Sequence, residues 1–99
     1  MKQLRIYTLK DNDSAKDYLE NHWDKHLISL PKFGISVEKV FMEDKDIDGP
    51  CHVYAIVSGE DLHQKNKDYM QSQAFKDDMV GFPMDAIQNV KDIDLITYK

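Results

Sequence analysis

Apolar side chains recur along this chain with two different periods, and the switches between them mark out its elements. Over residues 3–9, Leu4, Ile6 and Thr8 alternate with Arg5, Tyr7 and Leu9 in a run rich in β-branched and aromatic types, which predicts a first strand. A polar turn at 10–13 follows, where Asp13 or Ser14 can cap a helix and Asp17, three residues beyond Ser14, can complete a capping box. Ala15, Tyr18, Leu19, His22, Trp23, His26, Leu27 and Leu30 then fall at spacings of three and four, the signature of one helical face, and Pro31 and Gly34 punctuate its end. Residues 35–42 return to alternation, with only Lys39 and Val40 out of step, and predict a second strand. After an acidic loop at 43–50, residues 51–57 form the most strongly β-forming run, and its near-continuous apolarity predicts a central strand covered on both faces. Ser58 and Asp61 repeat the capping arrangement before a second helix carrying Leu62, Asn66, Tyr69 and Met70. Ser72 can cap a further short helix, Gly81, Phe82 and Pro83 force a loop, and residues 90–98 alternate as a fourth strand whose charges suit a sheet edge.

Strand, helix, strand, strand, helix, strand is the order of a ferredoxin-like α+β fold. Right-handed crossovers place both helices on one face of a four-stranded antiparallel sheet. The opposite face keeps apolar and aromatic residues, and a second copy of the same sheet is its expected cover, so a homodimer through the sheet face is expected. Residues 1–99 are read as a single domain, since a chain of this length buries roughly 60–70% of its unfolded surface in one core.

A 41% hydrophobic and 31% charged composition is that of an ordinary globular protein. The net charge of −5, with basic residues scattered among acidic ones, argues against nucleic acid as a partner. No apolar run reaches the ~20 residues of a membrane span and no signal-peptide core follows the amino terminus. With Cys51 as the only cysteine there is no internal disulfide, and the expected compartment is the cytoplasm. Cys51 itself reads as a packed thiol.

The opening Leu4-Arg5-Ile6-Tyr7-Thr8-Leu9-Lys10 resembles the start of the NIPSNAP family. So do Phe33-Gly34 after the first helix, His52-Val53-Tyr54 leading to Glu60-Asp61-Leu62, and Gln73-Ala74-Phe75. Lys65 departs from the arginine expected after the Asp-Leu pair, and the tryptophans typical of the third-strand and second-helix region are missing. The resemblance implies a dimeric α/β barrel with a cleft between sheet and helices in each subunit. Its wider superfamily includes cofactor-free monooxygenases, haem-degrading enzymes and small-molecule isomerases, and the family has no settled reaction.

The sharpest local feature is His22-Trp23-Asp24-Lys25-His26, two histidines four apart on one helical face, where a metal could be bitten. Tryptophan at position 23 supplies no general base and no third ligand is fixed by spacing, so no metal site is expected. His22 and His26 are instead candidate catalytic residues in a helix-sheet cleft. Arg5, Tyr7, Trp23 and Tyr54 are the candidate ligand-binding residues, because arginine beside aromatic side chains can hold an anionic or aromatic molecule. Asp44, Asp46, Asp48 and Gly49 match the first half of a calcium loop, but position twelve is Ala55 where a glutamate is required. The leading expectation is a dimer that binds a small organic molecule without a cofactor, with cofactor-independent monooxygenation as the candidate reaction. Haem binding or degradation, suggested by Trp23 and its flanking histidines, and a non-enzymatic interaction dimer are the alternatives.

Overall fold

The structure, a computed structural model, describes residues 1–44 and 49–99. Asp46 and Asp48 of the calcium-loop pattern lie outside the described residues. The first strand, β1 (Lys2–Leu9), leads through helix α1 (Asn12–Asp17), a π-helical turn (Tyr18–Trp23) and helix α2 (Asp24–Lys32) to β2 (Ser36–Met42). Then come β3 (Cys51–Ser58), α3 (Leu62–Met70), α4 (Gln73–Asp78), a short 3-10 turn (Met84–Ala86) and β4 (Ile87–Leu95). The strands form one sheet in the order β2-β3-β1-β4, every neighbouring pair antiparallel. This is the ferredoxin-like α+β arrangement.

Local chemistry accounts for the element ends, not always through the residues expected. Asp11, rather than Asp13 or Ser14, caps α1: its carboxylate accepts from the Ser14 N–H at 2.8 Å. Asp61 starts α3 in the left-handed conformation (φ 53°) and makes no side-chain cap, and Ser58 belongs to β3. Ser72 does cap α4, accepting from the Phe75 N–H at 3.2 Å. Pro31 sits inside the last turn of α2, and Gly34 (φ +80°) turns the chain away. Lys39 and Val40 are out of step because the β2–β3 register shifts between Val37 and Lys39, a bulge that absorbs one residue. The fourth strand begins at Ile87, three residues earlier than the alternation suggests, and ends at Leu95.

Pairing register assigns the faces of the sheet. Gln3, Arg5, Tyr7 and Leu9 stand opposite Val57, Ala55, Val53 and Cys51, and these eight face the helices. Leu4, Ile6 and Thr8, with their partners Ile56, Tyr54 and His52, face away, and Phe41 joins them from β2. Strand β3 is central as expected but fully covered on one face only: Cys51, Val53, Ala55 and Val57 are buried while His52, Tyr54 and Ile56 are half-buried.

The core lies between sheet and helices and includes Leu9, Tyr18, Trp23, Leu30, Ile35, Val53, Val57, Leu62, Tyr69 and Phe82. The Cys51 thiol is packed there. Helix α1 packs on β1 and β3 and α2 on β2, whereas α3 and α4 pack chiefly on each other and on α2. The second helical pair therefore stands off the β1–β4 side of the sheet, and a gap is left beneath it.

Candidate functional site

That gap is a cleft of about 390 Å³, within the usual size of a small-molecule site. Its floor is Arg5 and Tyr7 of β1 with Ile87, Val90 and Asp92 of β4. Its walls are Tyr18, Trp23, His26 and Leu30 on one side and Asn66, Tyr69, Met70 and Phe75 on the other. Met79 and Met84 complete the lining.

The π-helical turn shapes this wall. Hydrogen bonds between residues five apart bring side chains five apart into line. Tyr18 and Trp23 are so related, and their rings meet edge to face at 6.0 Å. Tyr7 touches both from the sheet, at 5.6 Å to Tyr18 and 6.0 Å to Trp23, so three aromatic rings lock edge to face. Burial pushes the Tyr18 hydroxyl well above its ordinary pKa, opposed in part by the nearby Trp23 indole N–H. Burial raises Tyr7 also, against the opposing charge of Arg5.

His26 is 3% exposed and packs between the rings of Trp23, at 5.2 Å, and Phe75, at 6.4 Å. Its Nδ1 lies 2.6 Å from the Tyr69 hydroxyl, which in turn donates to Asp78 Oδ2 at 2.6 Å. The single phenolic proton goes to the carboxylate, so the Tyr69 oxygen accepts from His26 and the imidazole proton resides on Nδ1. Nε2 then carries a lone pair at the cleft wall, buried and without a hydrogen-bond partner. Burial is the main cause that holds the imidazole pKa down from 6.5 to about 4, against the raising pull of Asp78 and with His22 and Lys25 adding to the depression. His26 is neutral at pH 7. Burial and the bond to Asp78 drive Tyr69 far above an ordinary tyrosine, which keeps its proton in place.

Among the described residues two more buried nitrogens of the lining make no well-formed hydrogen bond, Arg5 Nη2 and Trp23 Nε1, although the Trp23 N–H lies close enough to the Tyr18 hydroxyl to act on it. Arg5 is 3% exposed, and its Nε donates to Gln3 Oε1 at 3.0 Å. Gln3 donates on to Asp94 at 3.0 Å. Among the described residues, no carboxylate comes within the 4.0 Å of an ion pair with Arg5. Asp92, its register partner on β4, is exposed.

Four of the six site residues expected from sequence thus meet in the cleft: Arg5, Tyr7, Trp23 and His26. His22 does not. Its ring packs on Phe82 at 5.0 Å and its Nδ1 is 2.9 Å from the Asp78 carbonyl oxygen, so it ties α4 to the first helical segment behind the cleft wall. Tyr54 is also elsewhere, because its pairing with Ile6 puts it on the opposite face from Arg5 and Tyr7. Tyr69 and Asp78 come to His26 from the second helical pair and were not singled out by sequence. The available signal was Tyr69 on the apolar face of α3, where a buried hydroxyl needs a partner. Among the described residues no group of three or more His, Cys, Asp or Glu is placed to hold a metal ion, and no helix is long and apolar enough to cross a membrane.

No family model matches the chain, and no curated protein matches it in sequence. Among solved structures it is similar to that of Rv0793 from Mycobacterium tuberculosis, with a TM-score of 0.56 at 8% identity. The likeness covers 99% of this chain and 98% of that one. At that identity it shows the fold, the ferredoxin-like α+β arrangement, and no more.

Proposed function

We propose that this chain is a NIPSNAP-like dimeric α/β-barrel protein, a single domain whose cleft binds a small aromatic organic molecule and in which His26 accepts a proton from it. The observation that carries this reading is the unpartnered Nε2 of a neutral histidine, its tautomer set by Tyr69 and Asp78, in a cleft lined by Tyr7, Tyr18 and Trp23. Catalytic groups with shifted pKa values in a concave aromatic site are the expected marks of function. Arg5 supplies a buried positive charge for an anionic group of the molecule.

The reaction class that needs nothing further from the protein is cofactor-independent oxygenation. A phenolic hydroxyl of the bound molecule gives its proton to Nε2, and the resulting phenolate, with loss of a ring hydrogen, gives up electrons to dioxygen. One oxygen atom becomes a carbonyl on the product and the other leaves as water. Met70, Met79 and Met84 are flexible enough to let differently shaped molecules past the rings that enclose His26. The open sheet face, with Leu4, Ile6, Tyr54, Ile56 and Phe41 across its middle, supports the homodimer: Phe41 is 47% exposed in the single chain.

Thermal-shift and native mass spectrometry screens with aromatic ketones and phenols, followed by dioxygen uptake, test the site. Binding and uptake are expected in the wild type, with uptake lost in His26→Gln and kept in His22→Asn. Uptake that survives His26→Gln, or no ligand at all, ends this reading. A Soret shift on haem titration that His26→Gln removes would favour haem binding instead. Sedimentation is expected to show a dimer that Tyr54→Glu dissociates.

A further inference from the structure

Arg5 is a buried cation for which the described chain supplies no counter-ion. Its Nε is spent on Gln3, the guanidinium lies beside the neutral Tyr7 hydroxyl, and among the described residues its Nη2 makes no hydrogen bond and no carboxylate, Asp92 of the cleft floor included, comes within ion-pair distance. Burying a charge is costly unless something pairs with it. A guanidinium buried on an interior strand of the sheet is therefore explained by an anion that arrives from outside.

Two other buried nitrogens of the lining make no well-formed hydrogen bond among the described residues, and they complete a pattern. Trp23 Nε1 can only donate, whereas His26 Nε2, with the imidazole proton held on Nδ1, can only accept. The flanking rings of Tyr7, Tyr18 and Phe75 fit a flat π-system. A complementary ligand presents an oxygen anion to Arg5, a hydroxyl hydrogen to His26 and an aromatic plane between them.

We propose that the cleft selects planar hydroxylated aromatic carboxylates, with the carboxylate held by Arg5 and the hydroxyl by His26. This inference rests on the reading of His26 as a proton acceptor and names the substrate class of that same site. A charged guanidinium-carboxylate bond contributes about ten- to a hundredfold in affinity when it is buried.

Isothermal titration with hydroxynaphthoate, naphthoate and naphthol, their ring positions matched, tests it. Hydroxynaphthoate is expected to bind tightest, with naphthol about ten- to a hundredfold weaker. Arg5→Met is expected to bring the two within about threefold, and Arg5→Lys, which keeps the charge but not the planar fork, to restore part of the difference. Circular dichroism and a urea midpoint confirm that each variant is folded. Equal affinity for naphthol and hydroxynaphthoate in the wild type, or undiminished discrimination in Arg5→Met, overturns the inference. The proton-acceptor reading is scored separately, on the gain of hydroxynaphthoate over naphthoate and its loss in His26→Ala, so the two can fail independently.

Discussion

Over β2 and β3 the first helical segment closes down on the sheet: Ile35, Val53 and Val57 have no exposed surface, and Gly59 approaches so near that a Cβ there would come within 2.7 Å of the Gly34 carbonyl oxygen. Over β1 and β4 the second helical pair rests on α2 instead, leaving Val90 half exposed and three buried nitrogens without a well-formed hydrogen bond among the described residues. The two halves share one sheet and one layer of helices, so the difference lies in what each side chain is asked to do. The closed half buries apolar side chains completely. Around the cleft three of the four unsatisfied buried side-chain atoms among the described residues are gathered, the fourth being Asn12 Oδ1 at the start of α1.

Substitutions can break this contrast. Ile35→Ala in the closed half is expected to lower stability by about 2–5 kcal/mol, whereas Met84→Ala at the cleft, half exposed, is expected to lose less than about 1 kcal/mol in urea unfolding. Equal losses would mean that the cleft is packed as tightly as the core.

Acid should act on the open half first. His26 has a folded pKa of about 4 against 6.5 for an ordinary histidine, so between those values the unfolded chain binds the extra proton. Stability is therefore full above about pH 6.5 and falls by about 3 kcal/mol as the pH drops to about 4. Denaturant titrations across that window check it, and His26→Gln is expected to flatten this part of the profile. A smaller change tests the relay. Tyr69→Phe removes the hydroxyl between His26 and Asp78 and is expected to lower stability by about 1–3 kcal/mol. Nitrogen NMR of the imidazole should then show proton density on both ring nitrogens; a ring still protonated only at Nδ1 would show that Tyr69 does not set the tautomer.

The element order was legible because periods of two and of three to four alternate cleanly, and Lys39 and Val40, out of step in the sequence, mark a real bulge. The start of β4 was misplaced because Gln88, Asn89 and Val90 are exposed on an edge strand and show no burial pattern to read. Four cleft residues were legible by type, since Arg5, Tyr7, Trp23 and His26 are chemically conspicuous. His22 and Tyr54 were misplaced for opposite reasons. The spacing of the histidines fixes one helical face but not which ring meets the cleft, and a strand's face is fixed only by its pairing. Asp78 was invisible, because a surface-looking aspartate at a helix end gives no sign that Tyr69, nine residues earlier, will turn its hydroxyl to it.

The contact between His26 and Tyr69 joins residues 43 positions apart, one from each strand-helix-strand half of the chain. Neither half contains the relay alone. During folding, local helices and the β2–β3 hairpin can form early, but this contact must wait for a longer loop to close between the two halves. A chain caught with its halves undocked would hold a histidine of ordinary basicity in water, so the chemistry of the cleft comes into being only when the two halves dock.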